Sequence, residues 1–157
     1  MRALTLAVLV AMSLTGRALA APPPAAPAAV QDAAETQAAI KAAALDYAEG
    51  WYDGDASRME RALHPDLAKR MVQTDEKGRS RIEQMSAMGL VLGTRRGFGK
   101  STPKERQQKD VVILDVFANV ASVRATMSDW IDYMHVAKFN GRWVIVNVLW
   151  EMKPKQP

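Results

Sequence analysis

The chain of 157 residues is 48% hydrophobic and 24% charged, which fits one compact domain and excludes a disordered or collagen-like chain. It contains no cysteine, so disulfide frameworks, thiolate metal sites and thiol nucleophiles are excluded. Its formal charge of +4 falls to +2 when Arg2 and Arg17 are set aside, too little to suggest a nucleic-acid partner.

Those two arginines belong to a leader. Arg2 precedes an apolar run from Ala3 to Leu14, and Ala18-Leu19-Ala20 is a small-residue cleavage pattern. This is the three-part plan of a cleavable signal peptide over residues 1–20, so a periplasmic or secreted location is expected. The apolar run is shorter than the ~20 residues that span a bilayer as a helix, and no later stretch approaches that length. No transmembrane segment is expected. Residues 21–31 carry Pro22, Pro23, Pro24 and Pro27 and read as an extended linker, leaving residues 32–157 as the domain.

From Thr36 to Asp53, Ile40, Ala44, Tyr47, Ala48 and Trp51 recur at steps of three and four, which predicts an amphipathic helix ended by Gly54. Asp55 is placed to cap a second, short helix carrying Met59 and Leu63, which Pro65 stops. Ala68 to Gln73 and Arg79 to Met85 read as a hairpin around Thr74 to Gly78. Ser86 to Gly93 fits either a short helix or a strand. A basic loop follows, with Arg95, Arg96, Lys100, Lys104, Arg106 and Lys109 opposed only by Glu105. A solvated surface is the plain reading, and an acidic partner or an anionic lipid surface is the sharper one.

Two motifs in that loop fail on spacing. Gly99-Lys100-Ser101 resembles the end of a phosphate-binding loop, but its first glycine would have to stand at Thr94. Arg96 to Gly99 resembles the start of an RNA-recognition strand, but Lys100 and Pro103 break the pattern.

The last third predicts four strands: Asp110 to Phe117, Val120 to Met127, Trp130 to Phe139 and Arg142 to Met152. The last two are joined by Asn140-Gly141, a strong hairpin signal. Helices followed by an antiparallel sheet make an α+β fold. Counting back from the turn puts Trp130, Asp132, Met134, Trp143, Ile145 and Asn147 on one face. Tyr133, His135, Val146 and Trp150 fall on the other. Both faces are too apolar to be left in water, so one is expected to meet the helices and the other a second copy, as a homodimer. Asp132 and His135 are assigned to opposite faces, which argues against a metal site.

LDYAEGWYDGDASRMERALHPDL (residues 45–67) and DWIDYMHVAKFNGRWVIVNVLWEM (residues 129–152) together resemble the nuclear-transport-factor-2-like (NTF2-like) superfamily, and within it the putative lumazine-binding branch. The resemblance implies a cone-shaped α+β domain with helices on a curved sheet, often dimeric, with a pocket at its open end. The ketosteroid isomerases of the superfamily are similar in two places. Tyr47 stands eight residues before Asp55 of a Gly-Asp pair, and Trp130-Ile131-Asp132 resembles the strand that carries a protonated aspartate. In such enzymes the two groups act as oxyanion donors. The general-base aspartate of that pattern falls here at Met71, which cannot accept a proton.

Tyr47, Trp51, His64, Trp130, Asp132 and Asn147 are therefore the ligand-binding candidates, and Tyr133, His135, Val146 and Trp150 the dimer candidates. No residue is assigned a catalytic role, and no cofactor or metal is expected. An exported, non-catalytic small-molecule-binding domain is the leading reading. The alternatives are a small isomerase or hydro-lyase using Tyr47 and Asp132, and a protein-interaction module.

Overall fold

A computed structural model describes residues 28–154, with side chains from Asp32 onward. The expected signal peptide and most of the expected linker lie outside the described residues. Helix α1 (Ala28–Asp53) begins earlier than the amphipathic pattern marks, running through the end of the expected linker. No proline follows Pro27 until Pro65, and alanines, the best helix formers, fill these first turns. The buried stripe of α1 holds Ile40, Ala43, Ala44, Tyr47, Ala48 and Tyr52, with Trp51 packed at its edge. Gly54 ends the helix at φ +67°, a left-handed conformation that glycine adopts at little cost.

Asp55 caps α2 (Ala56–Ala62) as expected, its carboxylate accepting from the Ser57 and Arg58 amides at 3.0 Å. β1 (Leu63–Thr74) and β2 (Ser80–Ser86) form the anticipated hairpin. β1 starts earlier than the sequence suggested, taking in His64 and Pro65. Between Leu63 and Ala68 its pairing is irregular, which accommodates a residue without an amide hydrogen. Of the two readings open for residues 86–93, the helix is the one formed. α3 (Ala87–Arg95) is capped by Ser86, whose hydroxyl accepts from the Gly89 amide. The basic loop then winds through two short 3-10 turns, Phe98–Ser101 and Lys104–Arg106.

β3 (Lys109–Phe117), β4 (Val120–Met127), β5 (Trp130–Phe139) and β6 (Arg142–Met152) follow as a meander. Asn140 and Gly141 both have positive φ, the geometry of a type I′ turn. The six strands form one sheet in the order β2-β1-β6-β5-β4-β3. The expected antiparallel sheet is in fact mixed, because β1 lies parallel to β6. Parallel neighbours need a long connection, and everything from β2 to β5 supplies one.

The helices cover one face of the sheet. There Ile40, Tyr47 and Met59 meet Val123, Met127, Met134, Ile145 and Val148, all fully or almost fully buried. The opposite face leaves Leu114, Phe117, Tyr133 and Leu149 about half or more exposed. No helix of the described residues is long and apolar enough to cross a membrane.

Candidate functional site

The last hairpin decides what reaches the core. From the turn, Phe139 pairs with Arg142 and Lys138 with Trp143, as counted from the sequence. The register then slips: Val136 faces Ile145 but His135 faces Asn147, so Val146 is an extra residue, a β-bulge. Beyond it every side chain of β6 changes face. Val148, Trp150 and Met152 join Met134, Asp132 and Trp130 on the helix side, while Asn147, Leu149 and Glu151 turn outward.

Beneath this flipped segment lies a buried charge pair. Lys69 comes from the inward-facing row of β1, between Leu67 and Met71, and is 4% exposed. Asp132 on β5 is 0% exposed. The Lys69 ammonium donates to Asp132 Oδ1 and, at 2.6 Å, to the Tyr47 hydroxyl oxygen of α1. Trp130 Nε1 donates to Asp132 Oδ2 at 2.8 Å. Both carboxylate oxygens therefore accept, and a buried charge this well partnered avoids most of its desolvation cost.

Aromatic rings surround the amine. Lys69 Nζ lies 4.6 Å from the centroid of Trp150, 5.3 Å from Tyr47 and 5.7 Å from Trp130. Trp130 stands edge-on to both Trp51 and Trp150, with centroids 6.1 and 6.2 Å apart. Burial pushes the Lys69 amine down from its usual range, against the upward pull of Asp132. Burial raises Tyr47 well above its usual value, and the Asp132 carboxylate adds to this, so the phenol keeps its proton.

A cavity of about 200 Å³ opens over the amine, lined by Tyr47, Trp51, Lys69, Leu90, Trp130 and Trp150, with Met85, Asp129 and Met152 also on its walls. Two anchors hold its shape. The Tyr52 hydroxyl bonds the Gln108 carbonyl and the amide of Ser128 (both 2.9 Å), fastening α1 to the turn before Trp130. Gly99 rests on the Trp51 backbone, where an added Cβ would fall 2.2 Å from the Trp51 carbonyl oxygen. Only glycine allows that approach, so the basic loop is clamped behind Trp51.

A family model described as putative lumazine-binding matches residues 35–151. The chain belongs to that family. Its helices and curved mixed sheet are those of the NTF2-like superfamily, as three solved structures illustrate. An NTF2-like protein of unknown function from Shewanella baltica OS155 is 19% identical at TM-score 0.61, over 78% of this chain and 97% of its own. One with a cystatin-like fold from Novosphingobium aromaticivorans is 10% identical at TM-score 0.61, over 82% and 89%. A ketosteroid isomerase-like protein from Erwinia carotovora atroseptica is 15% identical at TM-score 0.50, over 77% and 98%. At such identities the likeness is one of fold. No curated protein matches the chain.

Within this lumazine-binding-family domain the sequence candidates separate. Tyr47, Trp51, Trp130 and Asp132 converge on the cavity or on the amine at its floor. His64 does not. It lies at the start of β1, where its Nδ1 accepts from the Asp66 amide and its ring stands edge-on to Phe139 at 4.5 Å. Asn147 and Trp150 exchange faces relative to the sequence reading, because the bulge at Val146 inverts the strand beyond it. Asn147 sits outside, accepting from Arg70 at 3.1 Å and lying 3.4 Å from His135 Nδ1. Trp150 lines the cavity instead of the outer face, which keeps Tyr133 and His135, with Val146 half-buried at the bulge. Met71 is buried two positions beyond Lys69 on the same face of β1.

Lys69 is the cavity residue that sequence reasoning missed. Its signal was present: strict alternation in β1 puts Lys69 in the same row as Leu67 and Met71, and a lysine in an inward row needs a partner. The Tyr47–Asp132 pairing also differs from the one the resemblance implied. Asp132 accepts on both oxygens, leaving the ammonium and the Tyr47 phenol as the hydrogen-bond donors of the site.

Proposed function

We propose that this chain is an exported, non-catalytic small-molecule-binding domain that works as a homodimer. Its ligand is a small, neutral, planar compound carrying a single hydrogen-bond acceptor. The carrying observation is the placement of Lys69. Two of its three ammonium hydrogens are taken by Asp132 and Tyr47, and the third is left for an acceptor within a tryptophan-walled cavity. The ion pair is already neutral overall, so an anionic ligand would bring an uncompensated charge into a dry site. The volume of about 200 Å³ is below that of drug-sized pockets and suits one or two rings. Export is supported by the leader pattern of residues 1–20, and dimerisation by the apolar outer face around Tyr133 and Leu149.

Three of the four tryptophans line the cavity, so their fluorescence reports on its occupancy. A screen of neutral aromatic amides and ketones should find compounds that quench it. The Lys69→Met/Asp132→Leu double variant removes donor and countercharge together, and should weaken binding by about tenfold or more. Quenching that is indifferent to this double change would overturn the reading. Sedimentation at micromolar concentration should show a dimer, and a monomer would remove that part of it.

A further inference from the structure

We propose that Lys69 is a covalent carbonyl-capture site, forming an imine with small aromatic aldehydes that enter the tryptophan-walled cavity. This rests on the binding reading above and adds a bond to it. The geometry is that of an activated nucleophile: an amine at the floor of an apolar cavity with a carboxylate and a phenol both within hydrogen-bond reach. Burial, which favours the uncharged amine, acts in the same direction.

Every atom in the step is accounted for. The Lys69 ammonium gives one proton to Asp132 Oδ1. The freed lone pair forms a bond to the carbonyl carbon while the carbonyl π pair moves to oxygen. Tyr47 protonates that oxygen and recovers a proton from the new secondary ammonium, leaving a carbinolamine. Asp132 then returns its proton to the carbinolamine hydroxyl, which departs as water as the nitrogen lone pair closes the C=N bond. The net change is ammonium plus aldehyde to iminium plus water, with nothing oxidised or reduced. The iminium keeps the positive charge opposite Asp132, so the cavity that accommodates the lysine cation accommodates the product equally. Trp150, 4.6 Å from Nζ, offers its ring to the same cation.

The test uses benzaldehyde at low stoichiometry with sodium cyanoborohydride, followed by intact mass and peptide mapping. Benzamide, which presents the same ring and a carbonyl that cannot condense, is followed in parallel by ligand-observed NMR. The expected result is a single adduct, the mass of the aldehyde less one oxygen atom, on Lys69 before the exposed Lys77 and Lys104. Tyr47→Phe should slow labelling at Lys69 by about tenfold or more beyond whatever factor it changes benzamide affinity, with surface labelling unchanged. A merely structural tyrosine would change labelling and benzamide affinity by the same factor. Asp132→Asn should act similarly, with circular dichroism to confirm its fold, and Tyr47→Phe carries the test if it does not fold. Benzamide binding with adducts confined to surface lysines would overturn the imine and leave the binding reading standing. Absence of both binding and Lys69 labelling would overturn the two together.

Discussion

Two charge clusters sit on either side of helix α1, and they behave oppositely. On the solvent side, Asp46 and Glu49 pair with Arg58, Arg61 and Lys109, all with side chains a quarter to a half exposed. On the core side, Lys69 and Asp132 have one another, Tyr47 and Trp130, and almost no water. The outer cluster has several partners and solvent to replace any one of them. The inner pair has no replacement, so each member is costly to remove singly and inexpensive to remove with its partner. A lysine held under those terms in an otherwise apolar cavity adds little net stability over an apolar pair of the same shape.

The sharpest way to break the comparison is Asp132→Ala, which strands a buried ammonium and should destabilise the fold by about 3–5 kcal/mol in urea denaturation. Lys69→Met/Asp132→Leu should recover most of that loss. If the double variant is no more stable than the single one, the pair is not coupled as described. Next in size is Trp130→Phe, which keeps the ring but removes the donor to Asp132 Oδ2, for a loss of about 1–3 kcal/mol. Smallest is Arg61→Ala, which should cost less than about 1 kcal/mol because Asp46 retains Arg58.

Titration separates the clusters by window. Glu49 is held below the usual carboxylate range by its hydrogen bonds from Lys109 and Arg58. Its contribution is complete above the unfolded value of about 4.3 and is lost as pH falls through the lower folded value. Glu49→Gln should flatten that acid limb of stability against pH. Lys69, pushed down by burial, binds its proton less readily in the native chain than in the unfolded one. Stability should therefore rise with pH between the lowered folded value and about 10.4, and Lys69→Met/Asp132→Leu should lose that alkaline limb.

The elements legible in the sequence were those with local causes. Gly54, the Asp55 cap and the Asn140-Gly141 turn each act within a few residues, so each could be read from its neighbours. The bulge at Val146 has no local mark, since β-branched residues stand on both sides and the extra residue shows only when Asn147 meets His135. That slip alone exchanged Trp150 and Asn147. Lys69 was passed over for a related reason: its partner lies 63 residues away, and spacing rules do not reach so far. Tyr47 and Asp132 were found through family resemblance, while the group that joins them had no counterpart in it.

The parallel contact between β1 and β6 has a kinetic consequence. β6 is the last strand among the described residues, and it must reach back to β1 over the 79 residues that separate Ala68 from Asn147 before Trp150 can close over the amine. Contacts of such long sequence separation form slowly, because loop closure precedes any reward. During refolding, the tryptophan environment of the cavity should mature in the slowest phase, well after the β5–β6 hairpin has zipped from its turn.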